Sequence, residues 1–161
     1  MIEKNTEASI VLTIMDLSNL MYRKGNALTQ PFGLTTQQWL ILLFLAEDPN
    51  IPDVHPNQPK PRSGMLASEI ATALNVSRPN ITNMVNVLIQ KGLVAQVENS
   101  SDRRQKYLKL TPKAFQVLEQ IEPIRTTSNL RLFSKLQEDE KEKLLGYLQA
   151  CLKILYDAKE K

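Results

Sequence analysis

The 161-residue chain has a single cysteine, Cys151, and a single histidine, His55. A disulfide framework needs cysteines in pairs and a Cys- and His-ligated zinc site needs three or four ligands, so both are excluded. A Ser-His-Asp triad or a Cys-His dyad would have to use His55, which lies in the proline-rich run Asp48 to Pro61. His55 with Asp53 makes at most two metal ligands in a loop, which rarely form a site. We therefore expect neither an enzyme nor a cofactor- or metal-binding protein. Also missing is any stretch approaching about 18 apolar residues. The start, Met1-Ile2-Glu3-Lys4-Asn5-Thr6-Glu7, lacks the basic lead and apolar core of a signal peptide. The expectation is a soluble, cytoplasmic protein with no membrane partner.

What the sequence has is 42% hydrophobic and 23% charged residues, enough for one cored domain or for one domain plus an oligomerisation element. Its net charge of +3 is unevenly spread. Arg62 to Lys113 holds eight Lys and Arg against Glu69, Glu98 and Asp102, so this segment is +5 and the remainder −2. A basic middle between neutral or acidic flanks suits a polyanion-binding surface mounted on something else.

Ile10, Ile14, Leu17, Met21 and Leu28 recur at helical spacing and predict a long helix over Ala8 to Leu28, ended by Pro31 and Gly33. Thr35 or Thr36 can cap a second, apolar helix carrying Trp39 to Leu45. Five of the nine prolines then mark a surface loop. Met65 to Leu74 reads as a short helix, with Leu66, Ile70 and Leu74 on one stripe and Asn75 as its terminator. Ser77 offers an N-cap hydroxyl and Pro79 falls in the first turn of the next helix, whose inward stripe is Ile81, Met84, Val85 and Leu88. Two short helices across so tight a turn form a helix-turn-helix. Leu93 to Glu98 and Lys106 to Thr111 fit two strands, with Ala95 and Val97 on one face of the first and Leu108 and Leu110 on one face of the second. The polar, cationic tip between them makes the hairpin a wing. A helix then starts at Thr111-Pro112 with the stripe Phe115, Leu118, Ile121 and Ile124, and Pro123 should kink it. Gln137 to Glu140 opens a last helix carrying Leu144, Leu145, Leu148, Leu152 and Leu155, with Cys151 on the stripe side as a small apolar residue.

The fold class is mainly α with a small β-hairpin wing (α+β): a winged helix-turn-helix flanked by N- and C-terminal dimerisation helices. Residues 1–33 and 112–161 form the helical dimerisation region. Residues 34–111 form the winged helix-turn-helix, including the proline-rich loop 48–64. Long amphipathic helices in so small a chain usually bury their stripes against a second copy, in a two-fold dimer; the alternative is that they fold back as an ordinary helical core.

Six stretches, in this order and spacing, resemble the MarR family of bacterial winged-helix transcriptional regulators. They are Leu34-Thr35-Thr36-Gln37-Gln38-Trp39, Leu66-Ala67-Ser68-Glu69-Ile70-Ala71, Val76-Ser77-Arg78-Pro79-Asn80-Ile81-Thr82, Leu88-Ile89-Gln90-Lys91-Gly92-Leu93-Val94, Ser101-Asp102-Arg103-Arg104 and Leu110-Thr111. The resemblance implies a homodimer whose first, fifth and sixth helices interlock, with two winged helices on a palindromic DNA site. At the wing tip it implies that Arg104 enters the minor groove, oriented by Asp102, with Arg103 beside it. The loop Glu47 to Gly64 departs from the family pattern in being longer and richer in proline. Relatives that sense peroxide use a cysteine in the first helix, and here that helix has none.

Opposite the inward stripe, the second helix of the pair holds Pro79, Asn83, Asn86 and Gln90, with Asn80, Thr82 and Val87 at the borders. Asn pairs bidentately with adenine in the major groove, so we read Asn80, Thr82, Asn83 and Asn86 as base-reading residues on an A·T-leaning site. Gln90, far from the helix start, we leave as solvated surface. Ser77, Arg78 and Lys91 at the helix ends suit phosphates. In the wing, Arg103, Arg104 and Lys106 suit a narrow minor groove. Tyr22, Trp39, Phe44 and Tyr107 either line a pocket for a small aromatic effector between the winged helix and the dimerisation helices, where relatives often bind phenols, or fill the core. The function read from all this is a sequence-specific transcriptional regulator, a repressor released by a small molecule. The alternative is a winged-helix protein-interaction module without DNA binding.

Overall fold

The computed structural model describes residues 3–52, 64–98 and 106–158. The first helix, α1 (Thr6–Thr29), is opened by Asn5, whose Oδ1 accepts the Ala8 N–H at 2.7 Å. Pro31 in a 3-10 turn and Gly33 at φ 66° close it, because the left-handed conformation that reverses the chain there suits glycine. Helix α2 (Thr36–Leu45) starts on a capping box: Thr35 Oγ1 accepts the Gln38 N–H at 3.2 Å and Gln38 Oε1 accepts the Thr35 N–H at 3.1 Å. Thr35 is thus the cap. The expected proline-rich loop falls largely on 53–63, with His55, and lies outside the described residues.

The helix expected from Met65 begins two residues later, as α3 (Ala67–Ala73). Met65 exchanges both of its backbone hydrogen bonds with Leu108, at 3.1 and 2.8 Å, which requires extended backbone. Asn75, at φ 52°, turns the chain into α4 (Arg78–Gln90). Ser77 occupies the N-cap position, but among the described residues its hydroxyl makes no capping hydrogen bond, contrary to expectation. Gly92 closes α4, and β1 (Val94–Glu98) pairs antiparallel with β2 (Lys106–Leu110) in the register Val94↔Leu110, Gln96↔Leu108, Glu98↔Lys106. This register turns Val94 and Leu108 inward; Ala95 and Val97 share the outer, exposed face.

One core joins all of these elements. Ile41 and Leu42 of α2, Ile70 of α3, Ile81 and Leu88 of α4 and Leu108 of β2 are fully buried together with Ile121 of α5 (Pro112–Leu132). Each such side chain contributes about 1.5–3 kcal/mol relative to an exposed one. The stripe of α5 is rotated from the expected one: Ala114 and Ile121 are buried with Val117 and Leu118 against the core, whereas Phe115 and Ile124 are 50% and 45% exposed. The reason is that α5 has two apolar faces and the core covers one. The helix runs through Pro123 to Leu132. Then α6 (Glu138–Asp157) opens with Glu140 Oε2 accepting the Gln137 N–H at 2.7 Å.

Among the described residues, α6 buries none of its side chains fully and α1 buries only Thr29. Ile10, Val11, Leu12, Ile14, Met15, Leu17, Leu20 and Met21 of α1 are exposed, as are Leu130 and Leu132 of α5 and Leu145, Tyr147, Leu148, Ile154 and Leu155 of α6. Cys151, expected to sit as a small apolar residue on the α6 stripe, is exposed in the same region.

The single chain holds α1 mainly by polar contacts at its end. Thr36 donates its N–H to Asn26 Oδ1 at 2.7 Å and its hydroxyl to Tyr22 O at 3.0 Å, and the buried Thr29 hydroxyl donates to Leu34 O at 2.8 Å. At Gly25 the helices are too close for a side chain, since a Cβ would lie 2.5 Å from Thr36 Oγ1. Thr36 is held by the bonds just named and does not rotate away freely. Gly25→Ala is therefore expected to destabilise by about 1–3 kcal/mol despite the better helix former. Gly146→Ala in α6, with open space around it, is expected to stabilise by up to about 1 kcal/mol. Urea unfolding of the two variants checks both signs.

Candidate nucleic-acid interface

Burying Ile81, Val85 and Leu88 leaves the opposite face of α4 in solvent. Ser77, Arg78, Pro79, Asn80, Thr82, Asn83 and Asn86 are all exposed there. Thr82 spends its hydroxyl proton on Arg78 O at 3.0 Å, so toward a base edge it offers an acceptor. With no side-chain cap from Ser77, the first-turn N–H groups of α4 point outward at the positive end of the helix dipole, a geometry suited to a phosphate.

The hairpin follows α4 directly through Gly92. Lys106 is exposed at the start of β2, opposite Glu98. The tip between the strands, with Asp102, Arg103 and Arg104, lies outside the described residues. Lys91 differs from the other expected phosphate contacts. It sits half-buried just past α4, and its ammonium donates to the carbonyl of Gly33.

The four aromatic residues expected at an effector pocket are not brought onto one cavity. A cavity of about 550 Å³ lies between α2, residues 48–52, α5 and the start of α6, walled by Leu40, Leu43, Phe44, Ile51, Leu130 and Phe133. Phe44 lines it. Trp39 packs partly buried against the core, with the Arg125 guanidinium 6.0 Å from its ring, and among the described residues its buried Nε1 has no hydrogen-bond partner. Tyr22 is exposed on α1, and Tyr107 is half-buried on the outer face of β2, opposite Val97.

At the cavity wall, Arg125 Nη1 donates to Asp48 Oδ2 at 2.6 Å and Arg125 Nε lies 3.2 Å from Glu122. Asp48 Oδ1 also accepts from the Asn50 backbone and side chain, at 2.8 and 2.7 Å. Sequence reasoning missed this pair, because 77 positions separate its members and no local spacing links them. Burial pushes the Asp48 carboxyl up, but the hydrogen bonds from Arg125 and Asn50, with the Arg125 charge, outweigh it and hold the group below its ordinary value. A carboxylate so lowered contributes stability above its unfolded pKa, near 3.8, and loses it as pH falls through the lower folded value. Asp48→Ala is expected to cost about 1.5–3 kcal/mol at neutral pH. In urea titrations the gap to wild type should close as the pH drops below that range.

Residues 32–105 match the model of the MarR family. The transcriptional activatory protein BadR of Rhodopseudomonas palustris is 30% identical over 102 residues, which cover 63% of this chain and 52% of BadR. The chain spans about half the length of the curated relatives it matches. Among solved structures, a MarR protein from Peptoclostridium difficile has a TM-score of 0.80 at 21% identity, covering 100% of this chain and 97% of its own. The complex of S. aureus MepR with DNA has a TM-score of 0.74 at 22% identity, covering 94% of this chain and 99% of MepR. The winged helix built on α2, α3, α4 and the hairpin falls within the matched residues, so this part of the chain is similar to the MarR family and the chain as a whole shares the fold of its solved members.

Proposed function

We propose that this chain is a sequence-specific DNA-binding transcriptional regulator that acts as a homodimer. The observation that carries the reading is the exposed face of α4, where Asn80, Thr82, Asn83 and Asn86 stand clear of the fold beside a basic hairpin. These side chains match base edges, with amides toward adenine. Ser77, Arg78 and Pro79 sit at the helix start, where contacts to phosphate set register. Arg103, Arg104 and Lys106, with Asp102, serve the minor groove. MepR was crystallised with DNA, and BadR is named a transcriptional activatory protein.

The exposed apolar residues of α1, α5 and α6 support the dimer, because apolar surface of this extent on a soluble chain marks an interface. Two-fold symmetry then presents two α4 helices to a palindrome. We read the regulator as a repressor. A small aromatic effector, with Phe44 and Trp39 at or beside its site, would release DNA by favouring a different spacing of the two helices. The likeness of residues 32–105 to transcription regulators favours this reading over an enzymatic one.

Fluorescence anisotropy against a duplex from upstream of its own coding sequence tests this. Wild type is expected to bind saturably and to lose about three or more powers of ten in affinity between roughly 50 and 200 mM salt. Asn83→Ala should cost about 1–3 kcal/mol on that duplex and little on random DNA. Arg103→Ala/Arg104→Ala should weaken both and flatten the salt dependence. No binding to either DNA at low salt would replace this reading with a protein-interaction module.

A further inference from the structure

Three hydrogen bonds seat the C-terminal end of α4. The ammonium of Lys91 donates to Gly33 O, in the turn that joins α1 to α2. The carbonyl of Lys91, one of those a helix end leaves open, accepts from Lys113 Nζ at 2.8 Å. Gly92 O accepts the hydroxyl of Thr111, the N-cap of α5, at 2.7 Å. Gly33 O is reachable because no side chain stands over it: a Cβ at Gly33 would lie 3.2 Å from the Lys91 ammonium. The base-reading helix is therefore gripped at one end by the exit of α1 and by the entry of α5, two of the helices whose outer apolar faces stand exposed.

A lysine at the end of such a helix reads from sequence as a phosphate ligand. Its geometry here serves a different purpose. We propose that Lys91, seated by Lys113, is a positioning residue: it fixes α4 relative to α1 and α5 and so transmits the arrangement of those helices to the DNA-reading face, without neutralising a phosphate. The inference rests on the DNA-binding reading above. In a two-fold dimer the separation of the two α4 helices has to match about one helical turn of DNA, and that separation is only as sharp as the seat of each helix on the dimerisation helices.

The two roles separate in the salt dependence. Removing a cation that neutralises one phosphate lowers the slope of log affinity against log salt by about 0.9, whereas loosening the seat of α4 leaves the number of neutralised phosphates unchanged. The experiment compares wild type, Lys91→Met and Lys91→Arg by anisotropy on the upstream duplex and on the same duplex with one base pair inserted at its centre of symmetry. Lys91→Met is expected to bind the native duplex roughly fivefold more weakly with an unchanged salt slope, and to lose most of the preference for native spacing. Lys91→Arg, which keeps a donor for Gly33 O, should restore both. A salt slope lower by about 0.9 in Lys91→Met would overturn the proposal in favour of a phosphate-neutralising role. Wild-type affinity and spacing preference in Lys91→Met would overturn it as well. If wild type itself failed to bind, the DNA-binding reading would fall and this inference with it, and the wild-type control tells the two failures apart.

Discussion

The seam between α5 and the winged helix governs this molecule. Ala114, Leu118, Ile121 and Arg125 follow one another at helical spacing along α5 and form its inner face: Ala114 and Ile121 are buried, Leu118 packs on the core and Arg125 lies over Trp39 and against Asp48. Committing that face to the core leaves Phe115, Ile124, Leu130 and Leu132 exposed, together with most of the apolar residues of α1 and α6. The core that folds the winged helix thereby determines which apolar surface stays exposed on the long helices. An ion pair at the end of such a seam contributes modestly to net stability, since desolvation offsets much of the attraction. Its stronger effect is geometric, because a buried charge left without its partner is costly and the pair therefore fixes where the segment after α2 meets α5.

Much of the architecture was legible because it rests on local chemistry. The α3–α4 turn was marked by Asn75, the start of α4 by Pro79 and the hairpin by two short strands flanking a polar tip, all of which act over a few residues. The deviations have a common cause in tertiary structure. Met65 has a helix-compatible side chain, but pairing with Leu108 makes its backbone extended. The α5 stripe was misplaced because Phe115 and Ile124 are as apolar as Val117 and Leu118, and periodicity does not say which of two apolar faces is covered within one chain.

The candidate site was legible by face and less so by role. That Asn80, Thr82, Asn83 and Asn86 would be exposed followed from the burial of Ile81, Val85 and Leu88 on a 3.6-residue helix. The attachment of Lys91 to Gly33 spans 58 positions and the Asp48–Arg125 pair spans 77, and neither leaves a trace in local pattern. Both join the winged helix to the long helices around it. The α4 residues expected to read bases share one exposed face, and of these two attachments the Asp48–Arg125 pair lies at the wall of the cavity beside Phe44.

Hydroxyl-radical footprinting on DNA to which the protein has been selected tests the proposed two-fold reading most directly. The expected result is two equivalent protected patches about a centre of symmetry, roughly 10 base pairs apart or a multiple of that, occupied by two chains per duplex. A single asymmetric patch occupied by one chain, or no protection on any selected duplex, would contradict it.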